Sequence, residues 1–231
     1  MILGIMGGMG PAATCDIYRK IIELTPAIKD QEHLHVIIDS NSQIPDRTQY
    51  ICGTGEDPRI EMTRSAIKLE MMGADYIIIP CHTAHYFYDD VVKYSKAKVL
   101  NMVHETATFL KITKPDEKRF LLLATEGTHK SGIYKKIFEE LGLSIIEPDK
   151  SDIQTVMNWI YSIKAGKLDV DLVDFQALVN KYMPNKKIPI ILGCTELPLL
   201  AEKIGVRSEC IDPVSILAQR CVDLLTIQNS C

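Results

Sequence analysis

The sequence contains no apolar run close to the roughly 20 residues that a membrane-spanning helix requires. Apolar runs such as residues 76–79 and 120–124 are only four or five residues long. A membrane-spanning segment is therefore not expected. Residues 1–6 carry no basic side chain and lead straight into a glycine-rich loop, so we expect a first β-strand rather than a secretory signal, in a cytoplasmic protein.

The chain also lacks a strongly basic segment. It carries 26 Lys and Arg against 30 Asp and Glu, a formal net charge of −4, and its basic residues cluster only in short pairs. Proteins that bind nucleic acid usually show a basic patch, because contacts to the phosphate backbone supply much of their affinity. Nucleic acid is therefore not expected as a partner.

Disulfides and a structural zinc site are not expected either. The seven cysteines are odd in number and scattered, and no two of them form a C-x-x-C pair. Such spacing fits neither a disulfide framework nor a zinc knuckle. We expect free thiols in a reducing compartment, with Cys15, Cys221 and Cys231 as small core residues.

What the sequence does contain is an alternation of short apolar runs with longer amphipathic stretches. This pattern is typical of β-α units around a parallel sheet that is buried on both faces. The predicted strands are residues 2–6, 34–38, 76–80, 98–101, 120–124, 144–147, 188–193 and 209–212. The predicted helices are residues 11–24, 58–72, 131–141, 153–164, 170–182 and 213–225.

Two pairs of segments repeat at nearly the same spacing. Related loop-helix segments after the first and fifth strands lie 116 positions apart, and strand ends followed by Cys81 and Cys194 lie 113 positions apart. The repeat predicts an α/β protein of two similar doubly wound parallel-sheet domains, related by pseudo-two-fold symmetry, with the active site between them. Chance similarity of short β-α joints is the alternative. We expect residues 1–98 plus 208–231 to form the first domain and residues 99–207 the second, with the last helix returning to the first half.

Cys81 and Cys194 each stand where a predicted strand ends and a helix can begin. Backbone N–H groups and the positive end of a helix dipole lower the pKa of a cysteine at such a joint. One thiol in each half suits proton transfer to and from opposite faces of a substrate, whereas a nucleophilic enzyme needs only one thiol. We therefore interpret the two cysteines as an acid and base pair; the alternative is that both are buried core residues.

The loop at Gly8, Met9 and Gly10 lies between a strand and a helix, so its backbone N–H groups are candidates for binding an anion. It matches neither a Walker loop nor the dinucleotide-binding fingerprint, and a simple tight turn is the alternative. A comparable joint at residues 125–128 in the second half favours binding. Hydroxyl groups that can donate to a carboxylate from both halves belong to Thr83, Thr125, Thr128 and Thr195.

Four charged or titratable residues are further candidates. Arg47 lies in a segment rich in turn residues, and its two-pronged guanidinium is suited to a carboxylate, although most loop arginines are only solvated. Lys164 ends a predicted helix, where a cation is expected for structural reasons alone. His82 and Glu196 follow the two cysteines closely and are candidates for contacting the substrate and for tuning a thiol pKa.

A metal site is an alternative use of the first joint. Cys81, His82 and His85 are metal-ligand types at close spacing, but the segment offers no further cysteine or carboxylate to complete a ligand set. We therefore expect no metal, and we expect His85 to order the helix that follows Cys81.

Taken together and in order, these motifs resemble those of the aspartate/glutamate racemase superfamily, and within it those of the aspartate racemase branch. The resemblance covers nearly the whole chain. The glutamate racemase branch begins differently, with aspartate and serine in the first loop, and usually has histidine where this chain has Glu196. The matching segments are residues 7–11 with 13–14, 45–47, 80–85, 124–128 and 192–198.

The resemblance implies an amino-acid racemase that works without a cofactor, uses two thiols, binds a small acidic amino acid and forms a homodimer. By motif match, Cys81 and Cys194 are the catalytic pair. Arg47 and Lys164 match the basic residues that aspartate-selective members direct at the side-chain carboxylate. The remaining implied substrate contacts are Thr83, Thr125, Thr128, Thr195 and the loop at Gly8, Met9 and Gly10.

One departure from the family pattern is His82, which stands where asparagine is common. It bears on substrate preference and on the direction in which Cys81 works. Among relatives with the same joints, maleate isomerases and hydantoin racemases have two cysteines and arylmalonate decarboxylases one. Arg47 and Lys164 favour a compact dianion, which disfavours hydantoin but not maleate. Glutamate racemase activity, and dicarboxylate binding without turnover, also stay open.

Overall fold

The computed structural model describes residues 1–183 and 187–227, and in these residues the chain folds into two four-stranded parallel sheets flanked by helices. Each of the eight predicted strands is present, with ends that shift by one or two residues. Central strand residues such as Ile77 and Leu122 are fully buried. Each such side chain contributes about 1.5–3 kcal/mol to stability, which explains why short apolar runs identify the strands.

The two halves have the same strand order. The first sheet is ordered β2-β1-β3-β4 and the second β6-β5-β7-β8, and every neighbouring pair is parallel. The predicted two-sheet α/β fold is therefore confirmed. The strands are β1 (Ile2–Gly7), β2 (His35–Ser40), β3 (Tyr76–Ile78), β4 (Lys98–Val99), β5 (Arg119–Ala124), β6 (Ser144–Ile146), β7 (Ile190–Gly193) and β8 (Cys210–Ile211).

The helices were predicted less completely than the strands. Five of those that the structure describes, α2, α4, α5, α6 and α10, were not predicted, and Gly132 separates α6 from the predicted helix at 131–141 by adopting a left-handed conformation with φ of 64°. None of the helices in residues 1–183 and 187–227 combines the length and apolar character needed to cross a bilayer. The helices are α1 (Pro11–Leu24), α2 (Arg47–Cys52), α3 (Arg59–Met71), α4 (Tyr88–Lys93), α5 (Met102–Thr113), α6 (Glu126–Ser131), α7 (Ile133–Glu140), α8 (Lys150–Lys164), α9 (Leu172–Asn180), α10 (Leu197–Lys203) and α11 (Pro213–Ile227).

The helix after the last strand of each sheet packs on the opposite sheet. Val103 on α5 is buried in one core with Leu122 of β5, and Leu217 on α11 is buried in another core with Ile5 of β1. The expected return of the last helix to the first half is confirmed. This exchange of α5 and α11 joins the halves into one body.

Strand β8 corrects one part of the predicted domain limits. Cys210 and Ile211 pair with β7, so they belong to the second sheet, although residues 208–231 were expected in the first domain. The chain crosses to the first half only after β8, where α11 begins at Pro213. The remaining limits stay a prediction.

Candidate active site

One small cavity lies where the two halves meet. Its wall includes residues that follow β1, β3, β5 and β7, the central strands of the two sheets. Parallel strands end at the same edge of a sheet, so the topology gathers these loops. The wall residues are Met9, Asp46, Arg47, Thr48, Cys81, His82, Thr83, Thr125, Lys164, Cys194, Thr195 and Glu196.

Cys81 lies three residues beyond β3, and its side chain is buried. Its carbonyl oxygen is 2.9 Å from Nδ1 of His85, while Nε2 of His85 accepts a hydrogen bond from the backbone N–H of Met102 at 3.0 Å. Because Nε2 accepts, the proton of the neutral ring lies on Nδ1, which donates to Cys81. Burial lowers the pKa of His85 to about 4, so the ring is neutral at physiological pH. His85 thus holds the Cys81 loop against the start of α5.

Cys194 directly follows β7 and is also buried. Its thiol donates a hydrogen bond to Oε2 of Glu196 at 2.9 Å, and the hydroxyl of Thr195 donates to the same oxygen at 3.1 Å. The other carboxylate oxygen of Glu196 is 3.8 Å from Nζ of Lys164. Cys194 therefore lies in a charged cluster.

The pKa of Cys194 is shifted in the direction opposite to the predicted one. Burial, together with the negative charge of Glu196 and the hydrogen bond to it, raises this pKa well above its ordinary value, and Lys164 only partly opposes the rise. The prediction of a lowered pKa is therefore wrong for Cys194, because burial and the adjacent carboxylate both favour the protonated thiol. Burial by itself lowers the pKa of Lys164, but the charges of Glu196 and the two cysteines leave it above its ordinary value.

Three threonine hydroxyls form a closed triangle across the two halves. Oγ1 of Thr83 is 3.0 Å from that of Thr125 and 2.9 Å from that of Thr128, which are 3.0 Å from each other. Thr83 and Thr125 line the cavity, whereas Thr128 lies behind them and does not. Gly127 permits the close approach of α6 to α2, because a Cβ at residue 127 would lie 2.8 Å from the Cα of Thr48.

Arg47 begins α2 and does not lie in a loop as predicted, because the Asp46 carboxylate accepts the backbone N–H of Gln49 and thereby caps the helix. Its Nη1 donates to the carbonyl oxygens of Ile44 and Pro45 at 3.2 and 2.9 Å. Its Nε is buried and has no hydrogen-bond partner. The guanidinium is thus fixed in place, with the Nε donor still available.

The glycine loop contributes less to the cavity than predicted. Met9 lines it, but Gly8 and Gly10 do not. Gly8 has a φ of 88°, and a Cβ there would lie 2.3 Å from the backbone of Asn41, so this glycine is required for packing. Asp46 and Thr48 line the cavity and were not predicted; their position on either side of Arg47 was the available signal.

The remaining thiols divide by exposure. Cys221 is buried as predicted, whereas Cys15 is exposed, so the core prediction for Cys15 is wrong. Cys231 lies outside the described residues. Among residues 1–183 and 187–227, no group of three His, Cys, Asp or Glu side chains could hold a metal ion. The histidines next to Cys81 instead use ring nitrogens for hydrogen bonds within the protein.

Comparison with known families agrees with this arrangement. The sequence profile of the Asp/Glu/Hydantoin racemase family matches residues 6–221. The chain belongs to this family. The predicted superfamily is therefore confirmed, and family membership supports an amino-acid racemase.

Relatives of this racemase are similar to it over nearly its whole length. It is 28% identical over 235 residues to the broad specificity amino-acid racemase RacX of Bacillus subtilis, with 96% of each chain covered. The solved structure of Picrophilus torridus aspartate racemase has a TM-score of 0.77 and 28% identity, covering 96% of this chain and 94% of that one. An aspartate racemase homologue from Pyrococcus horikoshii has a TM-score of 0.75 and 25% identity, covering 97% and 98%.

Proposed function

We propose that this racemase interconverts L- and D-aspartate without a cofactor, by proton transfer between the Cα of the substrate and the thiols of Cys81 and Cys194. The observation that carries the proposal is that the two cysteines, one from each half, line one cavity together with two cations, Arg47 and Lys164. Inversion at a carbon needs a base on one face and an acid on the other. Two thiols that approach from different halves meet this requirement.

The charges of the cavity favour a substrate with two carboxylates. Arg47 offers an unpartnered, buried Nε, and Lys164, which interacts electrostatically with Arg47, is a second cation in a wall that also carries the carboxylates of Asp46 and Glu196. We assign these two residues to the side-chain carboxylate of aspartate. The hydroxyls of Thr83 and Thr125 are neutral groups for the α-carboxylate, and Thr195 near Cys194 can join them when its hydroxyl turns away from Glu196.

The reaction needs one thiolate and one thiol at its start. Because the raised pKa of Cys194 keeps its proton in place, Cys81 is the base that removes the Cα proton in the first encounter. The resulting carbanion has its charge spread into the α-carboxylate, and Cys194 delivers its proton to the opposite face. Cys81 then holds a proton and Cys194 is a thiolate, so the reverse substrate is bound by the reverse protonation state.

Stabilising the carbanion is the main energetic task, because an amino-acid Cα proton is very weakly acidic. Hydrogen-bond donors that are fixed before the substrate arrives need no reorganisation during the reaction. The hydroxyls of Thr83 and Thr125, which the threonine triangle holds in place, are the groups that we assign to this task. Burial of the cysteines limits water around the reacting atoms.

The substrate is tested by incubating the purified protein with L-aspartate, L-glutamate and maleate, without added metal or pyridoxal phosphate. Chiral chromatography is expected to show D-aspartate from L-aspartate, with much slower conversion of L-glutamate and no fumarate from maleate. Cys15→Ala, which removes an exposed thiol, is expected to keep full activity. Faster turnover of another amino acid would contradict the aspartate assignment, and fumarate from maleate would favour an isomerase.

The resemblance to aspartate racemases also leads us to propose a cytoplasmic homodimer. Size-exclusion chromatography with light scattering tests the assembly directly. A mass near twice that of the 26.0 kDa chain is expected. A monomeric mass at micromolar concentration would contradict this part of the proposal.

A further inference from the structure

The His82 ring lies between the cavity and a buried tyrosine of α7. Its Nδ1 is 2.7 Å from the phenol oxygen of Tyr134, and the two rings are stacked with centroids 6.1 Å apart. Both side chains are almost completely buried, with 2% and 1% of their surfaces exposed. His82 and Tyr134 come from different halves of the fold, so this contact is another link across the cavity wall.

Both partners of this hydrogen bond are uncharged at neutral pH. Burial lowers the pKa of His82 to about 3, and burial raises the pKa of Tyr134 well above its ordinary value. The only question is therefore which of the two donates.

Hydrogen-bond accounting decides the donor. Within the described residues, His82 is the only hydrogen-bond partner of the phenol. If Nδ1 of His82 donated, the phenol hydrogen would be buried without an acceptor, and Nε2 would be a second unsatisfied atom. If the phenol of Tyr134 donates, only the N–H at Nε2 remains without a partner. Unpaired buried polar groups are costly, so the second arrangement is favoured.

The remaining unsatisfied atom belongs to the cavity wall. Three side-chain nitrogen or oxygen atoms in residues 1–183 and 187–227 are buried without a partner, and two of them, His82 Nε2 and Arg47 Nε, are on residues that line the cavity. Both are hydrogen-bond donors in the arrangement above. A bound group with acceptor oxygens would satisfy them.

We propose that Tyr134 holds His82 in the tautomer that carries its proton on Nε2, and that this N–H donates a hydrogen bond to the α-carboxylate of the bound amino acid. A hydrogen-bond donor at this position favours a carboxylate oxygen, which is an acceptor, and disfavours an ammonium group, which has no acceptor. His82 is adjacent to Cys81, whose thiol must face Cα, whereas Arg47 and Lys164 serve the other carboxylate. The identity of the ligand rests on the proposed function.

The assignment makes Tyr134 a positioning residue and His82 a determinant of which end of the substrate lies beside Cys81. A neutral donor also strengthens its hydrogen bond as negative charge develops on the α-carboxylate, and it does so without competing for the proton being transferred. Asparagine, common in relatives at this position, can donate or accept, so it does not impose the same choice.

Two inert ligands separate the alternatives by calorimetric titration. Succinate has both carboxylates of aspartate but no ammonium group, and β-alanine has the ammonium group and the side-chain carboxylate but no α-carboxylate. His82→Ala is expected to weaken succinate binding about 10- to 100-fold and to leave β-alanine binding within about twofold. His82→Asn, which keeps an N–H donor, is expected to recover most of the succinate affinity.

Three results would overturn the proposal: weakened β-alanine binding with unchanged succinate binding, equal weakening of both ligands, or no change in either. The first would place the ammonium group at His82, the second the side-chain carboxylate, and the third would remove His82 from ligand contact. Because neither ligand is turned over, this pattern can be obtained even if racemisation of aspartate is not observed, so failure of the proposed function is separately visible.

Nitrogen-15 NMR of the histidine side chains tests the tautomer directly. In the wild-type protein, His82 is expected to be neutral with a protonated Nε2 from pH 5 to pH 8, consistent with a pKa of about 3. Tyr134→Phe is expected to change the shifts of both ring nitrogens towards a mixture of tautomers, which loss of packing alone would not do. A protonated Nδ1 in the wild-type protein would contradict the proposal.

Discussion

The two halves of this racemase place a cysteine at the same point of the same topology but surround it differently. Cys81 follows the third strand of its sheet next to the neutral rings of His82 and His85, and Lys164 interacts with it electrostatically across the cavity. Cys194 follows the equivalent strand of the other sheet beside charged groups, Glu196 and Lys164. The fold therefore determines where the thiols lie, and Glu196 and Lys164 add to the effect of burial on Cys194.

This difference leads us to assign the role of acid in the resting enzyme to Cys194. A carboxylate that accepts the Cys194 thiol proton cannot at the same time stabilise the thiolate, so Cys194 rests as an acid. No negative side chain hydrogen-bonds to Cys81 in the part of the chain that the structure describes. The two thiols occupy equivalent positions in the fold, but their hydrogen-bond partners differ.

Removing one thiol at a time is the largest perturbation of the comparison. Cys81→Ala and Cys194→Ala are each expected to lower racemisation by about 1000-fold or more, because each removes the acid or base on one face. Each variant is expected to keep slow exchange of the Cα proton with deuterated water for one enantiomer only, measured by proton NMR. Exchange is expected to be slower in Cys81→Ala, which retains only the protonated Cys194.

The same enantiomer exchanging in both variants would break the comparison, because the thiols would then face the same side of the substrate. Cys15→Ala, a change at an exposed thiol, provides the control for loss of a cysteine as such.

The buried, neutral ring of His85 next to Cys81 leads us to predict that the stability of the protein depends on pH. His85 has a pKa of about 4 in the folded protein, below the ordinary 6.5, so the unfolded chain binds its proton first as the pH falls. The stability present above pH 6.5 is therefore lost between pH 6.5 and about 4, by up to about 3 kcal/mol for this residue. His85→Gln, whose amide can both donate to Cys81 and accept from Met102, is expected to lose about 2 kcal/mol less between pH 7 and pH 4.5 in urea unfolding.

His104→Gln, which removes an exposed histidine, is the matched control and is expected to behave like the wild-type protein. An equal loss of stability in His85→Gln and the wild-type protein would show that the buried ring does not resist protonation.

Removing the charge of Glu196 makes the second half resemble the first. Glu196→Gln is expected to lower the pKa of Cys194, since the carboxylate is one cause of its rise after burial. Because a larger fraction of the thiol is then ionised, alkylation of Cys194 by iodoacetamide at pH 8 is expected to be about tenfold faster. Mass spectrometry of the modified peptide measures the rate, and Glu202→Gln on the same helix is the control. An unchanged or slower rate would contradict the role given to Glu196.

Removing Lys164 is expected to produce a smaller effect of opposite sign. This cation partly offsets the rise in the pKa of Cys194, so Lys164→Met is expected to slow alkylation. The change should be only about threefold, because the side chain is partly exposed and solvent screens its charge. The exposed Lys167→Met is the control. Faster alkylation in Lys164→Met would show that the cation does not act on the thiol.

Much of the fold could be predicted from the sequence, because buried parallel strands are short apolar runs with turn residues at their ends. Helices α2, α4 and α10 escaped because six or seven residues make fewer than two turns, too few to show a period. Helix α5 escaped for another reason: Met102 and Val103 are buried in different cores, so the helix has no single apolar stripe.

Some features of the candidate site could likewise be predicted from the sequence, and others could not. Residues beside a strand end, such as Cys81 and Cys194, were predictable because the topology alone brings strand ends together. The contact of Tyr134 with His82 spans 52 positions and depends on how the halves pack, so no local sequence pattern predicts it. The raised pKa of Cys194 depends on where the Glu196 side chain points, which sequence spacing does not determine.

The transfer between two thiols on opposite faces is tested most directly by the fate of the Cα proton in deuterated water. During the first turnovers of L-aspartate, the D-aspartate formed is expected to carry deuterium at Cα while the unreacted L-aspartate keeps its protium, as read by proton NMR after chiral separation. D-aspartate that retains the original protium would mean that a single group moves the proton from face to face, and it would contradict transfer between two thiols.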